Sequence, residues 1–205
     1  MDKYGTRLQP QPQNFRENVT ICLIAYGSNL SNALGESQKI TNLACERLTE
    51  RGIRILQRSG DFRSPAWPPG SGPDFVNGVI LGETACDAAQ VLAILHEVEA
   101  GLGRTRRKRW EARVIDLDLI DFGGQVLPDV GTWTRWADLA PDRQQAEAPE
   151  ALVLPHPRVQ DRPFVLVPLG VVAPDWAHPV TGMSVRAMIE ALEPGRVAEV
   201  RRLPA

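Results

Sequence analysis

The pattern of apolar and polar residues separates a polar N-terminal stretch from a single folded region. Residues 1–18 are polar and contain two prolines and three glutamines, which predicts a disordered tail. The next apolar run, residues 19–26, is typical of a buried strand, and the Gly-Ser-Asn sequence at 27–29 predicts a turn at its end. Residues 19–205 are therefore predicted to form one domain, which contains a polar insertion of low periodicity at 128–153.

Apolar spacing predicts three helices and four further extended segments in this domain. The helices are expected at 36–51, 88–101 and 184–192. The strands are expected at 53–59, 75–83, 114–122 and, as a short or extended segment, 164–172. Asp87 is placed to cap the second helix, and proline and glycine predict a loop over 64–73. Within the insertion, Trp133, Trp136 and Leu139 could form an amphipathic turn or two that dock on the body.

The order of these elements indicates an α/β (α+β) fold. Strand, helix, strand, strand, helix, strand is the order of a split βαβ repeat, which gives an antiparallel sheet covered by helices. The appended segments after residue 122 would then lie outside the repeat.

Composition indicates which partners to exclude and which cellular compartment to expect. The net charge of −2 over 205 residues gives no general attraction to nucleic acid or to an anionic membrane. Cys22, Cys45 and Cys86 form no CxxC pair, so a zinc or redox motif is not indicated and reduced thiols in or near the core are expected. The first residues lack an apolar signal region, and no apolar run reaches the ~18 residues of a membrane span. We therefore expect a cytoplasmic protein.

Two aspartates form the first candidate for chemistry. Asp116 and Asp118 fall on the predicted strand 114–122, so their side chains point to the same face, with Cα atoms about 6.5–7 Å apart. Two carboxylates that face one space repel each other unless metal ions lie between them, and paired catalytic metals lie about 3.5–4 Å apart. Leu117 and Leu119 would point the other way, into a core. A lone Asp-x-Asp also occurs in glycosyltransferases, nucleases and exposed strand edges, so this pair alone indicates a metal only weakly.

A dense group of cations precedes the aspartates. Six cations fall within ten positions, at Arg104, Arg106, Arg107, Lys108, Arg109 and Arg113. Their mutual repulsion makes a polyanion the natural partner, although a solvated surface run is the alternative. Together with the aspartates they would supply both halves of a magnesium–nucleotide site. The chain has no GxxxxGK[ST] motif, and we expect direct transfer between bound substrates.

Two further segments carry candidate ligands. The proline-rich turn at 154–162 contains His156, Arg158 and Arg162, which are predicted to contact phosphate or lie beside a metal. The second set is an amide with two aromatic residues: Asn77, Trp67 and Phe75. An amide and aromatic faces suit a flat heterocycle, but the aromatic residues could equally fill the core.

These motifs resemble those of the 6-hydroxymethyl-7,8-dihydropterin pyrophosphokinase family. The matching segments are AYGSNL (25–30), SPAW (64–67), PDFVNGVI (73–80), E-x4-GRTRRKRW (99–110), R-x2-DLDLIDFG (113–123) and LPHPRVQDRPFVLVPL (154–169). The resemblance implies a ferredoxin-like, three-layer α-β-α fold. It also implies transfer of the β,γ-diphosphate of ATP to the hydroxymethyl group of 6-hydroxymethyl-7,8-dihydropterin in folate biosynthesis, with release of AMP and with two Mg²⁺ ions. We expect a monomer that binds these two substrates and neither nucleic acid nor membrane.

The resemblance also implies roles for individual residues. Asp116 and Asp118 would hold the two Mg²⁺ ions and act in catalysis with Arg104 and Arg113. The residues expected to contact ATP, from the resemblance and from the cation-rich segments together, are Arg104, Arg106, Arg109, Arg113, His156, Arg158 and Arg162. The residues implied to hold the pterin are Ser64, Pro65, Trp67, Phe75, Asn77, Trp110 and Phe164. Glu99 matches an acid near the loop that contains Trp110.

The chain departs from the family pattern in three places. Glu111-Ala112 stands where the family usually has Gly-Pro, the insertion at 128–153 is longer than usual, and Trp67 is bulkier than expected. One alternative, given Glu111-Ala112, is a catalytically weak nucleotide-binding homologue of the same fold. The cation cluster alone would also suit a non-catalytic nucleotide or RNA binder, and the aspartate pair alone a metal-dependent nuclease or phosphatase. None of the departures removes a candidate metal ligand, and we expect activity.

Overall fold

The computed structural model describes residues 19–66, 70, 72–103, 113–140, 143 and 147–204. The predicted tail at 1–18 and most of the arginine-rich segment lie outside the described residues. The strands are β1 (Thr20–Ser28), β2 (Arg54–Arg58), β3 (Phe62–Ser64), β4 (Phe75–Thr84), β5 (Asp116–Phe122) and β6 (Arg201–Arg202). The helices are α1 (Ser37–Glu50), α2 (Ala88–Gly101), α3 (Val130–Ala137), α4 (Pro163–Val172), α5 (Val185–Ala191) and α6 (Pro194–Ala198).

Within the described residues, the six strands form a single sheet in which every pair of neighbouring strands is antiparallel. The order is β5-β1-β4-β3-β6, and β2 also pairs with β4. The central strand β1 pairs with β4 on one side and with β5 on the other. Gly27 is thereby opposite both Asn77 on β4 and Asp116 on β5. The predicted antiparallel sheet is confirmed.

Helices cover both faces of the sheet. One core contains Cys22 and Ile24 from β1 together with Ile40 of α1 and Val91 of α2. The second core contains the alternate β1 residues, such as Leu23, with residues of α4 and α5. Because successive strand residues point to opposite faces, the buried run in β1 contributes to both cores. The three-layer α-β-α arrangement is therefore as predicted.

Local sequence explains where α2 begins. Asp87 accepts a hydrogen bond from the backbone N–H of Gln90 (2.8 Å), and the Gln90 side chain accepts one from the backbone N–H of Asp87 (2.8 Å). This reciprocal capping satisfies two backbone donors that a helix start otherwise leaves open. The predicted cap at Asp87 is confirmed. Glu36 stands at the corresponding position of α1 and makes no side-chain capping bond.

Three sequence predictions were wrong. Residues 164–172, expected to be extended, lie in helix α4. Pro163 occupies the first turn of this helix, where a missing N–H costs nothing, and the apolar residues of the helix cover the sheet. The turn expected at 27–29 comes later, since β1 continues to Ser28 along its β4 partner. The loop expected from Ser64 begins one residue later, because Ser64 is the last residue of β3 and pairs with Phe75.

The insertion at 128–153 closes on itself at a short β-bridge. Leu127 and Leu154 exchange backbone hydrogen bonds of 2.9 and 3.0 Å on either side of it. Inside it, α3 is the helical turn predicted around Trp133 and Trp136, and Trp133 is buried while Trp136 is half-buried. The insertion is therefore an appendage whose two ends meet beside β5.

The remaining composition-based expectations concern thiols and membranes. Cys22 and Cys45 are buried, Cys86 is partly buried, and all three are free thiols, as expected. Burial raises the pKa of the Cys22 thiol to about 12, so this side chain stays protonated. Among the helices that the structure describes, none is both long and apolar enough to cross a membrane.

Candidate active site

The two candidate metal ligands lie on one face of an edge strand. Asp116 and Asp118 alternate along β5 with Leu117 and Leu119, which are buried in the core beneath α1 and α2. The aspartates therefore project from the opposite face of the sheet, where each is partly exposed. Their predicted common orientation is present in the structure.

Each of these carboxylates is held by an arginine from a different part of the chain. Arg113 Nη1 lies 2.6 Å from Asp116 Oδ2, and Arg162 Nη1 lies 2.6 Å from Asp118 Oδ2. Arg113 precedes β5, whereas Arg162 immediately precedes α4. The structure thus brings cations from two distant segments to the paired acids.

The charge state of Asp118 follows from these contacts. Burial alone would raise the pKa of its carboxyl, but the positive charge of Arg162, with a smaller effect from Arg113, lowers it to about 2. Asp118 is therefore ionised at neutral pH and can act as a hard oxygen ligand.

His156 lies beside the same carboxylate in its neutral form. Burial and the nearby Arg162 lower the pKa of His156 to about 3. Its Nδ1 accepts a hydrogen bond from the backbone N–H of Arg158 (3.0 Å), so Nε2 carries the proton. Nε2 lies 3.9 Å from Asp118 Oδ2. His156 is consequently placed as a neutral donor next to the charged pair.

The expected pterin ligands group on the neighbouring strands. Asn77 Nδ2 donates to Ser64 Oγ over 2.8 Å, and both residues are 5 % exposed. Phe75 is half-buried two residues earlier on β4, and therefore on the same face as Asn77. A Cβ atom on Gly27 would lie 2.7 Å from Asn77 Oδ1. The absence of a side chain at Gly27 is what makes room for this amide.

One row of residues joins the two groups. Asn77, Gly27 and Asp116 stand opposite one another on β4, β1 and β5. Neighbouring strands are about 4.8 Å apart, so the outer two Cα atoms are separated by roughly 10 Å. Gly27 presents no side chain between them. The row therefore consists of an amide, an open strip of backbone and a carboxylate.

Phe164 occupies the first turn of α4, two residues after Arg162. Its ring is half-buried, and its centroid lies 5.9 Å from the Arg162 guanidinium carbon. The same arginine therefore contacts both an aromatic face and Asp118.

Two further candidates lie next to residues already described, Pro65 after Ser64 and Arg158 beside His156. Pro65 is exposed, and Arg158 makes an ion pair with Asp161 at 3.1 Å. Five candidates fall outside the described residues: Trp67, Arg104, Arg106, Arg109 and Trp110. The other residues of the arginine-rich segment, Arg107, Lys108, Glu111 and Ala112, fall outside them as well.

Sequence reasoning missed a role for Asn29. This residue is 5 % exposed, and it both donates to and accepts from the backbone of Arg113, at 3.1 and 2.7 Å. Its Nδ2 also donates to the Pro73 carbonyl at 3.1 Å. Asn29 thus ties the residue that reaches Asp116 to the chain just before Phe75. An asparagine straight after a predicted strand was the available signal.

Glu99 is a second residue whose part becomes clear from the structure. It is 2 % exposed, and its Oε1 accepts a hydrogen bond from the Leu117 backbone N–H at 2.8 Å. Leu117 lies between the two aspartates, so Glu99 fixes the strand that presents them.

The chemistry of this donor set fits a divalent metal. Two carboxylates from alternate positions of one strand provide hard oxygen ligands on the same face, and Asp118 is ionised at neutral pH. The arginines at the same place are suited to phosphate oxygens, which they bind bidentately. Asp116 and Asp118 are thus the residues that could hold magnesium.

The fold and this donor set describe an α/β protein with a candidate metal–nucleotide site. A model of the 7,8-dihydro-6-hydroxymethylpterin-pyrophosphokinase (HPPK) family matches residues 23–174. The chain belongs to this family.

Curated relatives agree with that assignment. Three bacterial proteins named 2-amino-4-hydroxy-6-hydroxymethyldihydropteridine pyrophosphokinase are similar to this chain. The Synechocystis protein is 31% identical, over 89% of this chain and 81% of its own length. The Methylorubrum extorquens protein is 32% identical over 89% and 99%, and the Pseudomonas aeruginosa protein is 35% identical over 76% and 82%.

Solved structures support the fold. Wild-type HPPK-DHPS of Plasmodium falciparum matches with a TM-score of 0.57 at 13% identity. The match covers 84% of this chain and 44% of that structure, so this chain spans less than half of its length. The shared architecture is the predicted antiparallel sheet with covering helices.

Proposed function

We propose that this chain transfers the β,γ-diphosphate of ATP to the hydroxymethyl group of 6-hydroxymethyl-7,8-dihydropterin and releases AMP. Membership of the pyrophosphokinase family and the names of its relatives support this reaction and its place in folate biosynthesis. ATP as donor and magnesium as cofactor are the finer parts of the proposal, and they rest on the chemistry of the site.

The row of Asn77, Gly27 and Asp116 is the observation that carries the proposal. A buried amide with both donor and acceptor groups suits the edge of a pterin ring, and a half-buried aromatic residue, Phe75, lies beside it. Across roughly 10 Å of bare backbone stands the first carboxylate of the metal pair. A flat ring held at one end of this strip would direct its substituent towards the charged end.

The charged end supplies what phosphate transfer requires. Arg113 and Arg162 present guanidinium groups that can bind phosphate oxygens, and neutral His156 can donate to one through Nε2. Asp116 and Asp118 would hold Mg²⁺, which when bound would neutralise charge on the phosphates.

The chemical step is a displacement at phosphorus. The pterin hydroxyl oxygen forms a bond to the β-phosphorus, the bond from that phosphorus to the α,β-bridging oxygen breaks, and AMP leaves with this oxygen. The hydroxyl proton passes to water. Positioning and charge neutralisation account for most of the acceleration in this class of reaction.

The decisive assay follows AMP in the presence of Mg-ATP, with and without the dihydropterin. We expect AMP only when the pterin is present. A nuclease or phosphatase would release nucleotide or phosphate without pterin, and a nucleotide-binding homologue would bind ATP with no turnover.

The metal assignment is tested by Asp116→Ala and Asp118→Ala. Each should lower turnover by more than about a hundredfold, because a charge-stabilising ligand is lost from the transition state. Circular dichroism should show an intact fold. A variant that keeps most of its rate would show that its carboxylate is not a metal ligand.

A further inference from the structure

Helix α3 of the insertion at 128–153 docks on the body of the protein through Trp133. Trp133 is 5 % exposed and is the buried residue of this helix. Its indole Nε1 donates to the Pro155 carbonyl over 2.9 Å. Its ring also meets the His178 ring edge-on, with 4.9 Å between centroids. The docking of α3 therefore depends on a specific hydrogen bond as well as on apolar contact.

The acceptor of that bond lies immediately before His156. Pro155 is buried, and on its other side the backbone N–H of His156 donates to the Ile120 carbonyl of β5 over 2.8 Å. The turn that carries His156 is thus fixed from two directions, by β5 and by α3. If the bond from Trp133 is lost, the Pro155 carbonyl becomes a buried acceptor without that donor, and the restraint that α3 places on the turn disappears.

The same turn also carries Arg158. The backbone N–H of Arg158 donates to His156 Nδ1, and this bond sets the tautomer that places a proton on Nε2. A shift of the turn would therefore change both the position of the imidazole beside Asp118 and its hydrogen-bonding state.

We propose that Trp133 is a positioning residue for nucleotide binding, which acts through Pro155 on His156. The inference rests on the proposed function, in which His156 contacts ATP. The insertion would then strengthen the nucleotide half of the site, while Ser64, Phe75 and Asn77 on β3 and β4 would keep their own arrangement.

The substitution Trp133→Phe tests this directly, because it keeps an aromatic ring and removes the N–H donor. Trp136→Phe is the matched control, since it makes the same change in the same helix at a half-buried residue whose ring contacts Arg135. We would measure the Kd of a non-hydrolysable ATP analogue with magnesium, the Kd of the dihydropterin, and the imidazole nitrogen chemical shifts of His156.

We expect Trp133→Phe to raise the Kd of the ATP analogue about fivefold, the scale of one lost hydrogen bond, and to shift the imidazole signals of His156. The Kd of the pterin should stay within about twofold, and Trp136→Phe should leave all three quantities within about twofold of the wild type. An unchanged affinity for the ATP analogue, or an equal loss for both ligands, would overturn the inference. A lower melting temperature with unchanged binding would show that Trp133 is merely structural.

A second variant covers the case in which Trp133→Phe does not fold. Asp129 caps α3 from the surface by accepting from the Thr132 N–H at 2.9 Å. Asp129→Ala should loosen the helix without changing the core, and should weaken the ATP analogue in the same direction by a smaller factor. Unchanged affinity for the analogue in this variant would likewise count against the inference. The binding and chemical-shift measurements need no turnover, so they remain informative even if the wild type releases no AMP in the assay above.

Discussion

Replacing Gly27 by alanine tests the pterin half of the site with the smallest possible change. The added Cβ would lie 2.7 Å from Asn77 Oδ1 and 3.7 Å from Phe75 Cδ1. The first distance is too short for a non-bonded contact, so the Asn77 side chain must rotate or move. Its bond to Ser64 would then be strained or lost.

The size of the effect can be worked from these contacts. An off-rotamer side chain costs about 0.5–1.5 kcal/mol, and a lost hydrogen bond costs about 1 kcal/mol. If Asn77 reads the pterin, the same displacement should weaken pterin binding by about 1.5–2.5 kcal/mol, which corresponds to about tenfold to seventyfold in KM. The KM for ATP should stay within about threefold, because the arginines and His156 are not displaced.

Gly82→Ala provides the matched control on the same strand β4. Its Cβ would also be crowded, at 3.2 Å from Ile53 Cγ2 and 3.3 Å from the Arg54 carbonyl, but it lies at the end of β4 remote from Asn77. Both variants should melt below the wild type, whereas only Gly27→Ala should change the KM for pterin in the AMP-release assay. An unchanged pterin KM in Gly27→Ala, or the same increase in Gly82→Ala, would refute the reasoning.

Three further predictions concern other parts of the fold. Asn29→Asp keeps the acceptor for Arg113 but loses the donor to Pro73. The KM for pterin should therefore rise about three- to tenfold and the KM for ATP should rise less, so equal increases would contradict this. Burial raises the pKa of Asp121, which means that its charged form destabilises the fold at neutral pH. Asp121→Asn should therefore add about 1 kcal/mol to the free energy of urea unfolding at neutral pH, and a gain that persists below about pH 4 would be inconsistent with a charge effect. Burial lowers the pKa of His178 and of His156, so protonation favours the unfolded chain and stability should fall below about pH 6.5. His178→Asn should make this dependence less steep in urea titrations, with His156 supplying the rest, and parallel curves would exclude His178 as a source.

Strong periodicity made most of the fold predictable. The apolar spacing in α1 and α2 and the Asp87 cap are local signals, and the structure confirms them within one or two residues. The segment at 164–172 was wrongly predicted because its β-branched residues favour strands locally, whereas a proline at its start and packing against the sheet favour a helix. Tertiary contacts that the sequence does not reveal decided this case.

The candidate site was predictable where one strand contains it. Asp116 and Asp118 follow from a period of two, so their common face could be derived from spacing alone. The partners of these acids could not be derived in the same way. Arg162 is 44 positions from Asp118, and Asn29 is 84 positions from Arg113, so only folding brings them together. Family resemblance supplied Arg162, whereas the contacts of Asn29 required the structure.

The alternation of aspartate and leucine over Asp116–Leu119 limits how this part of the chain can change. Adding or deleting one residue within Asp116–Leu119 would shift the register, so that leucines faced the side of the sheet where the aspartates now lie and carboxylates entered an apolar interior. Such a change would remove stability and chemistry together. The segment 128–153 departs beyond the strand, between Leu127 and Leu154, whose backbones are hydrogen-bonded to each other. Residues in this segment can therefore add contacts next to the site without shifting the register of β5, the strand that carries Asp116 and Asp118.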